Sequence, residues 1–182
     1  MKEEHNSLSL RSVRMMCVIA MFMAITAITG AFSIPLGIAH IYLTDIAVCT
    51  AALLLPPAAA CVAGGVGAFL GDLIFYPQAM IVTLITRCLQ AALVSVISRR
   101  VLPGKRFAGS LIAVSAGAFV MVAGYFTGHV LMYGAAETTL VSYVLPQVIQ
   151  AVFGAAVSVI LCGVYGLKRR ARRYIGGGPE RK

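Results

Sequence analysis

Charge is what this sequence has least of. Only 12% of its 182 residues are Asp, Glu, Lys or Arg, and six of them are acidic, where a soluble domain carries about 25% charged residues. That scarcity excludes an ordinary solvated surface. With 60% hydrophobic residues and a mean hydropathy of +0.92, the chain reads as an all-α integral membrane protein. Its length allows one compact domain of several spans and leaves no room for a separate soluble catalytic or ATPase domain. Any energy input must then come from a gradient or from a partner. Enzyme signatures are missing too: there is no Walker A loop, no H-E-x-x-H, no G-x-S-x-G and no D-x-x-x-D pair. The six acidic residues are too scattered for general acid–base work, so neither an enzyme nor a bound cofactor is expected. The five cysteines, Cys17, Cys49, Cys61, Cys88 and Cys162, lie inside apolar runs without C-x-x-C spacing. They read as packed free thiols rather than a disulfide frame or a metal site. No internal repeat is evident, which counts modestly against an inverted-repeat carrier.

What charge there is has one dominant sign and a clear distribution. The net charge is +9, and the basic residues gather at Arg11 and Arg14, at Arg99, Arg100, Lys105 and Arg106, and in "KRRARR", residues 168–173. All of these flank apolar segments, so they act as topology determinants beside anionic lipid rather than as a nucleic-acid surface. A helix needs about 20 apolar residues to cross the hydrocarbon. Five segments satisfy this, roughly 15–35, 57–75, 78–98, 108–133 and 140–166. The stretch 38–56, with Asp45 near its start and Pro56-Pro57 at its end, is the doubtful sixth. Parity decides in its favour: with six spans every basic cluster faces the cytoplasm, and the outer loops contain no Lys or Arg. We therefore expect a six-transmembrane-helix bundle with cytoplasmic N- and C-termini. Residues 1–14 form a cytoplasmic segment, 15–167 the membrane domain, and 168–182 a basic, disordered tail. The first apolar stretch exceeds a secretory h-region of about 7–15 residues, so it is expected to remain as an uncleaved helix.

Several faces carry chemistry. In the first helix Ala20, Ala24, Ala27 and Ala31 recur at helical spacing and form a small-residue stripe, suited either to intramolecular packing or to docking another membrane subunit. Arg87 stands about mid-bilayer, where a cation costs about 2.5–3.5 kcal/mol on insertion scales and turns toward a partner inside the bundle. Two roles are open to it: an ion pair with Asp72 across the turn at Pro77, or contact with an anionic or carbonyl-bearing ligand. Tyr125, His129 and Tyr133 share a face of the fifth helix, and Gln147 and Gln150 open the sixth. Aromatic faces that stack a flat heterocycle, with amides and imidazole to read its edge, make a pocket for a small polar molecule. The expected site has Arg87 as its floor, Tyr125 and His129 on one wall, Gln147 and Gln150 on another, and Asp72 nearby.

The stretches "AMFMAITA", "GAFLGDLIFYP", "TLITRCLQA", "GYFTGHVLMYGA" and "VLPQVIQAVFGAAV", in this order, resemble the substrate-binding S components of energy-coupling factor (ECF) vitamin transporters, most closely the riboflavin-type and related members. The resemblance covers roughly residues 15–167. It implies a multi-pass protein of the bacterial plasma membrane that captures a small water-soluble vitamin or precursor from outside. Its partners would be a transmembrane T component, docked on Ala20 and Ala24, and two cytoplasmic ATPase subunits. The chain departs from the family pattern at His129, where an acidic residue is usual, so the vitamin stays unnamed. A stand-alone proton-coupled carrier and a membrane enzyme are the alternatives from other classes.

Overall fold

A computed structural model describes residues 2–36, 39–75, 77–100, 106–133 and 145–164. Among these, six helices carry the fold: α1 (Lys2–Ala31), α2 (Thr44–Leu54), α3 (Pro57–Phe75), α4 (Met80–Arg100), α5 (Arg106–Tyr133) and α6 (Leu145–Val164). Five of them are long and apolar enough to cross a membrane, and α2, with 11 residues, is not. The fold is thus a multi-pass helical bundle. The basic tail 168–182 lies outside the described residues, as do the loops around Lys105 and Ala135.

The chain between α1 and α2 departs from expectation. The first helix was expected to run to about residue 35 but ends at Ala31, and a two-stranded hairpin follows, β1 (Ser33–Leu36) and β2 (Ala39–Tyr42). The register pairs Ser33 with Tyr42 and Pro35 with His40. Pro35 explains the stop, because it lacks an N–H and its ring blocks helix continuation. It is tolerated in β1 because a two-stranded ribbon has only edge strands.

The short helix α2 is the centre of the bundle rather than a marginal surface element. Ten of its 11 residues are buried, and it packs against α1, α3, α4 and α6. Val48, Ala51, Leu53 and Leu55 are wholly excluded from solvent and interlock with Ala63, Ala91, Val94 and Val114. Its far end is tied to the basic end of α4: Ser95 Oγ donates to Leu55 O at 2.7 Å, and Arg99 Nη2 donates to Leu54 O at 3.2 Å. Pro56 and Pro57 then reverse the chain, with Pro57 opening α3, where its missing N–H costs nothing.

Polarity is distributed as lipid demands. Ile74, Phe119, Leu131 and Val152 are exposed, while Thr26, Thr83, Thr86, Ser95 and Ser158 are buried. In hydrocarbon an exposed apolar side chain is solvated, whereas a polar one needs a partner inside the protein. Close helix approach comes from small residues. A Cβ on Gly67 would stand 2.8 Å from Met23 O, and one on Gly71 would stand 3.0 Å from Ala27 O, so α3 lies backbone-to-backbone on α1. This divides the alanine stripe. Ala27 is half-buried near α3, whereas Ala20 and Ala24 stay exposed. Cys17 is exposed on α1 as well, rather than packed as expected, while Cys49 and Cys162 are buried.

Candidate functional site

The buried polar centre begins with one face of α4. Thr83, Arg87 and Gln90 follow at spacings of four and three, which places them on a common stripe. All three are buried, Arg87 to 3% exposure. A guanidinium this dry needs a counter-ion. The structure supplies Asp45, from the first turn of α2, rather than Asp72. Arg87 Nη1 is ion-paired to Asp45 Oδ1, and Nη2 donates to Oδ2 at 3.4 Å. Asp45 is itself only 1% exposed.

Two amides complete the shell around this pair. Gln90 accepts from Arg87 Nη1 at 2.8 Å through Oε1 and donates from Nε2 to Asp45 Oδ1 at 3.1 Å. From the other side Gln150, on α6, donates Nε2 to Asp45 Oδ2 and accepts the Tyr42 backbone N–H at 3.0 Å. One carboxylate therefore ties α2, α4 and α6 together, and through Gln150 it also fixes the end of β2. The Asp72–Arg87 tie, one of the two roles left open for Arg87 by the sequence, is not formed, for a positional reason. Central α2 delivers Asp45 directly beneath the guanidinium, while Asp72, near the end of α3, stays half-buried beside Thr83.

Above this centre lies a cavity of about 120 Å³. Asp72, Arg87, Tyr125, Gln147 and Gln150 all line it, with Thr83 and Tyr42. Tyr125 closes one side: its hydroxyl donates to Thr83 Oγ1 at 3.1 Å, and its ring centroid lies 5.4 Å from Arg87 Cζ, a cation–π distance. Arg87 Nε and Gln147 Oε1 have no hydrogen-bond partner. An unmet donor and acceptor beside a polar cavity are groups a ligand can satisfy. His129 belongs to α5, but its side chain is outside what the structure describes. Among the described residues no group of three His, Cys, Asp or Glu side chains could hold a metal ion.

Sequence reasoning missed Asp45, Gln90 and Thr83. The signal for two of them was present, since positions four before and three after Arg87 must share its face. The signal for Asp45 was a carboxylate within an apolar stretch, which by the same rule as Arg87 requires a partner.

Two comparisons bear on what this arrangement serves. An uncharacterised protein of Pyrococcus woesei, described as lying in the gap 3' region, is 30% identical over 151 residues, covering 81% of this chain and 96% of that protein. The family model for the S component of the ECF-type riboflavin transporter matches residues 10–167, a stretch that holds all five membrane-length helices, α2 and every residue of the cavity. With that match across the bundle, the chain belongs to the riboflavin-type S components of ECF transporters.

Proposed function

We propose that this S component captures its vitamin in the cavity above the Arg87–Asp45 pair and passes it inward as part of an ATP-driven ECF complex. Membership of the family makes the chain a membrane-embedded substrate-binding component of vitamin uptake. The observation that carries the finer reading is the placement of Arg87, Tyr125, Gln147, Gln150 and Asp72 around one cavity. Riboflavin is the first ligand to test, because the matched family is of the riboflavin type. A cavity of about 120 Å³ is smaller than the roughly 300–1,000 Å³ of usual ligand sites. A vitamin therefore enters with one ring portion, or widens the site as it binds.

Orientation follows from the two ends of the bundle. The cavity lies where α3 ends and α4 and α6 begin, and Arg99, Arg100 and Arg106 lie at the opposite end of α4 and the start of α5. Since Lys and Arg collect on the cytoplasmic side, the cavity faces outward and both termini face inward. This gives six membrane segments, with 1–14 and 168–182 as the cytoplasmic ends of a 15–167 domain. The shortness of α2 fits this arrangement. Arg87 lies seven residues into α4, about 10 Å along it, and α2 adds about 16 Å from that level. The hairpin thus supplies the upper part of the second crossing and α2 the lower part, near Arg99.

The T component docks on α1 in this reading, with two cytoplasmic ATPase subunits behind it. Support comes from coverage: 11% of the α1 span is buried, against 33–44% of the other four, and Ala20 and Ala24 lie on its open side. The test is riboflavin uptake into cells or vesicles holding this chain with a T component and both ATPases. Uptake should require ATP hydrolysis. Uptake by the chain alone, driven by a proton gradient, would replace the proposal with a stand-alone carrier.

A further inference from the structure

We infer that the cavity selects its ligand by charge, accepting a cationic or neutral group that presents N–H or O–H donors and rejecting a carboxylate. This rests on the reading of the cavity as the ligand site and goes further by naming the chemistry of the group that enters it.

The inference starts from what Arg87 has already spent. Both terminal nitrogens are engaged, Nη1 by Asp45 and Gln90 and Nη2 by Asp45. Its charge is matched by the Asp45 carboxylate, which does not line the cavity, and of its three nitrogens Nε is the one with no hydrogen-bond partner. Asp72 also lines the cavity, and among the described residues it has no ion-pair partner. Among the described residues the charged groups at the site are thus two carboxylates and one guanidinium, which leaves a negative charge over. A polar group lining the space adds to this preference: Gln147 Oε1 is an acceptor without a donor. A carboxylate placed here would meet Asp72, and the described residues supply no second cation to offset it, inside an environment where like charges repel far more than in water. A cation or an N–H-bearing edge would satisfy Asp72 and Gln147 together.

The experiment uses three small probes of nearly one shape: benzamidinium, benzamide and benzoate. They carry positive, zero and negative charge on the same ring and suit a cavity of this size. Thermal stabilisation of the purified full-length protein in detergent reports their binding, because a ligand specific to the folded state raises its stability. Benzamidinium should bind best, benzamide next, and benzoate more weakly than benzamidinium by about tenfold or more. In Asp72→Asn, which keeps shape and removes charge, benzamidinium should fall to the level of benzamide. Gln147→Leu should weaken both amide-type probes alike and keep their ratio, which gives a second reading if Asp72→Asn does not fold. Benzoate binding best, an unchanged benzamidinium preference in folded Asp72→Asn, or no stabilisation by any probe would each overturn the inference. Failure of riboflavin uptake would instead overturn the vitamin assignment and leave the probe ranking standing.

Discussion

Gly154 of α6 lies against Asp45 of α2 so closely that a Cβ on the glycine would stand 2.5 Å from the aspartate Cβ. No side chain fits there. The contact sits one turn beyond Gln150, so the missing Cβ lets α6 approach far enough for that amide to reach Asp45. Small-residue approach in lipid is usually a matter of packing. Here it also completes a polar network.

The first prediction follows directly. Gly154→Ala should push α6 off α2 and cost about 1–3 kcal/mol, the usual penalty of overpacking. It should also weaken riboflavin binding by displacing Gln150. Gly163→Ala is the control, because its nearest neighbour would be Phe107 at 3.4 Å, an ordinary contact. Thermal unfolding of the two variants in detergent measures the difference. Equal unfolding midpoints would show that α6 does not need the glycine.

The second prediction separates Asp45 from Asp72. Arg87→Met leaves the Asp45 carboxylate buried and unpaired, a change that costs about 3–5 kcal/mol when a buried ion pair loses one partner. Adding Asp45→Asn should recover more than half of that loss, because a neutral amide can be satisfied by Gln90 and Gln150. Adding Asp72→Asn should recover little. A double-mutant cycle on unfolding reads both couplings. Rescue by Asp72→Asn in preference to Asp45→Asn would reinstate the Asp72–Arg87 tie that the sequence left open.

Much of the architecture was legible because lipid imposes a simple length rule. The runs that became α3 and α4 stand out as about 20 apolar residues, and Pro146 marks the start of α6. The hairpin was not legible: strands of four residues are too short for alternation to declare itself. That gap hid the rest. Without the hairpin carrying the chain to the depth of Arg87, nothing in the spacing told that Asp45, 42 positions earlier, would reach the guanidinium before Asp72 did. The cavity residues were more accessible to reasoning. Tyr125, Gln147 and Gln150 are polar or amphipathic groups on apolar helices, and each must face something other than lipid.

A third prediction concerns assembly. Ala20→Leu with Ala24→Leu adds bulk to the open side of α1, away from α3 and from the cavity. It should prevent co-purification with the T component while leaving riboflavin affinity and the unfolding midpoint of the isolated chain unchanged. Pull-down of the full complex at the wild-type yield would remove α1 from the proposed interface.

The fourth prediction tests orientation and the cavity together. Ala79 lines the cavity at the turn before α4, whereas Gly104 lies among Arg100, Lys105 and Arg106 in the sequence. If basic residues mark the cytoplasm, a cysteine at Ala79 faces the outside and one at Gly104 the inside. Each is introduced after Cys17, Cys49, Cys61, Cys88 and Cys162 have been replaced, so that a single thiol reports. An impermeant maleimide applied to intact cells should label Ala79→Cys and spare Gly104→Cys until the membrane is opened. Riboflavin should then slow the labelling of Ala79→Cys, because a vitamin in the cavity covers that position. Labelling of Gly104→Cys alone in intact cells would invert the bundle. Labelling of Ala79→Cys that riboflavin leaves unchanged, at concentrations that saturate binding, would keep the orientation and move the vitamin out of this cavity.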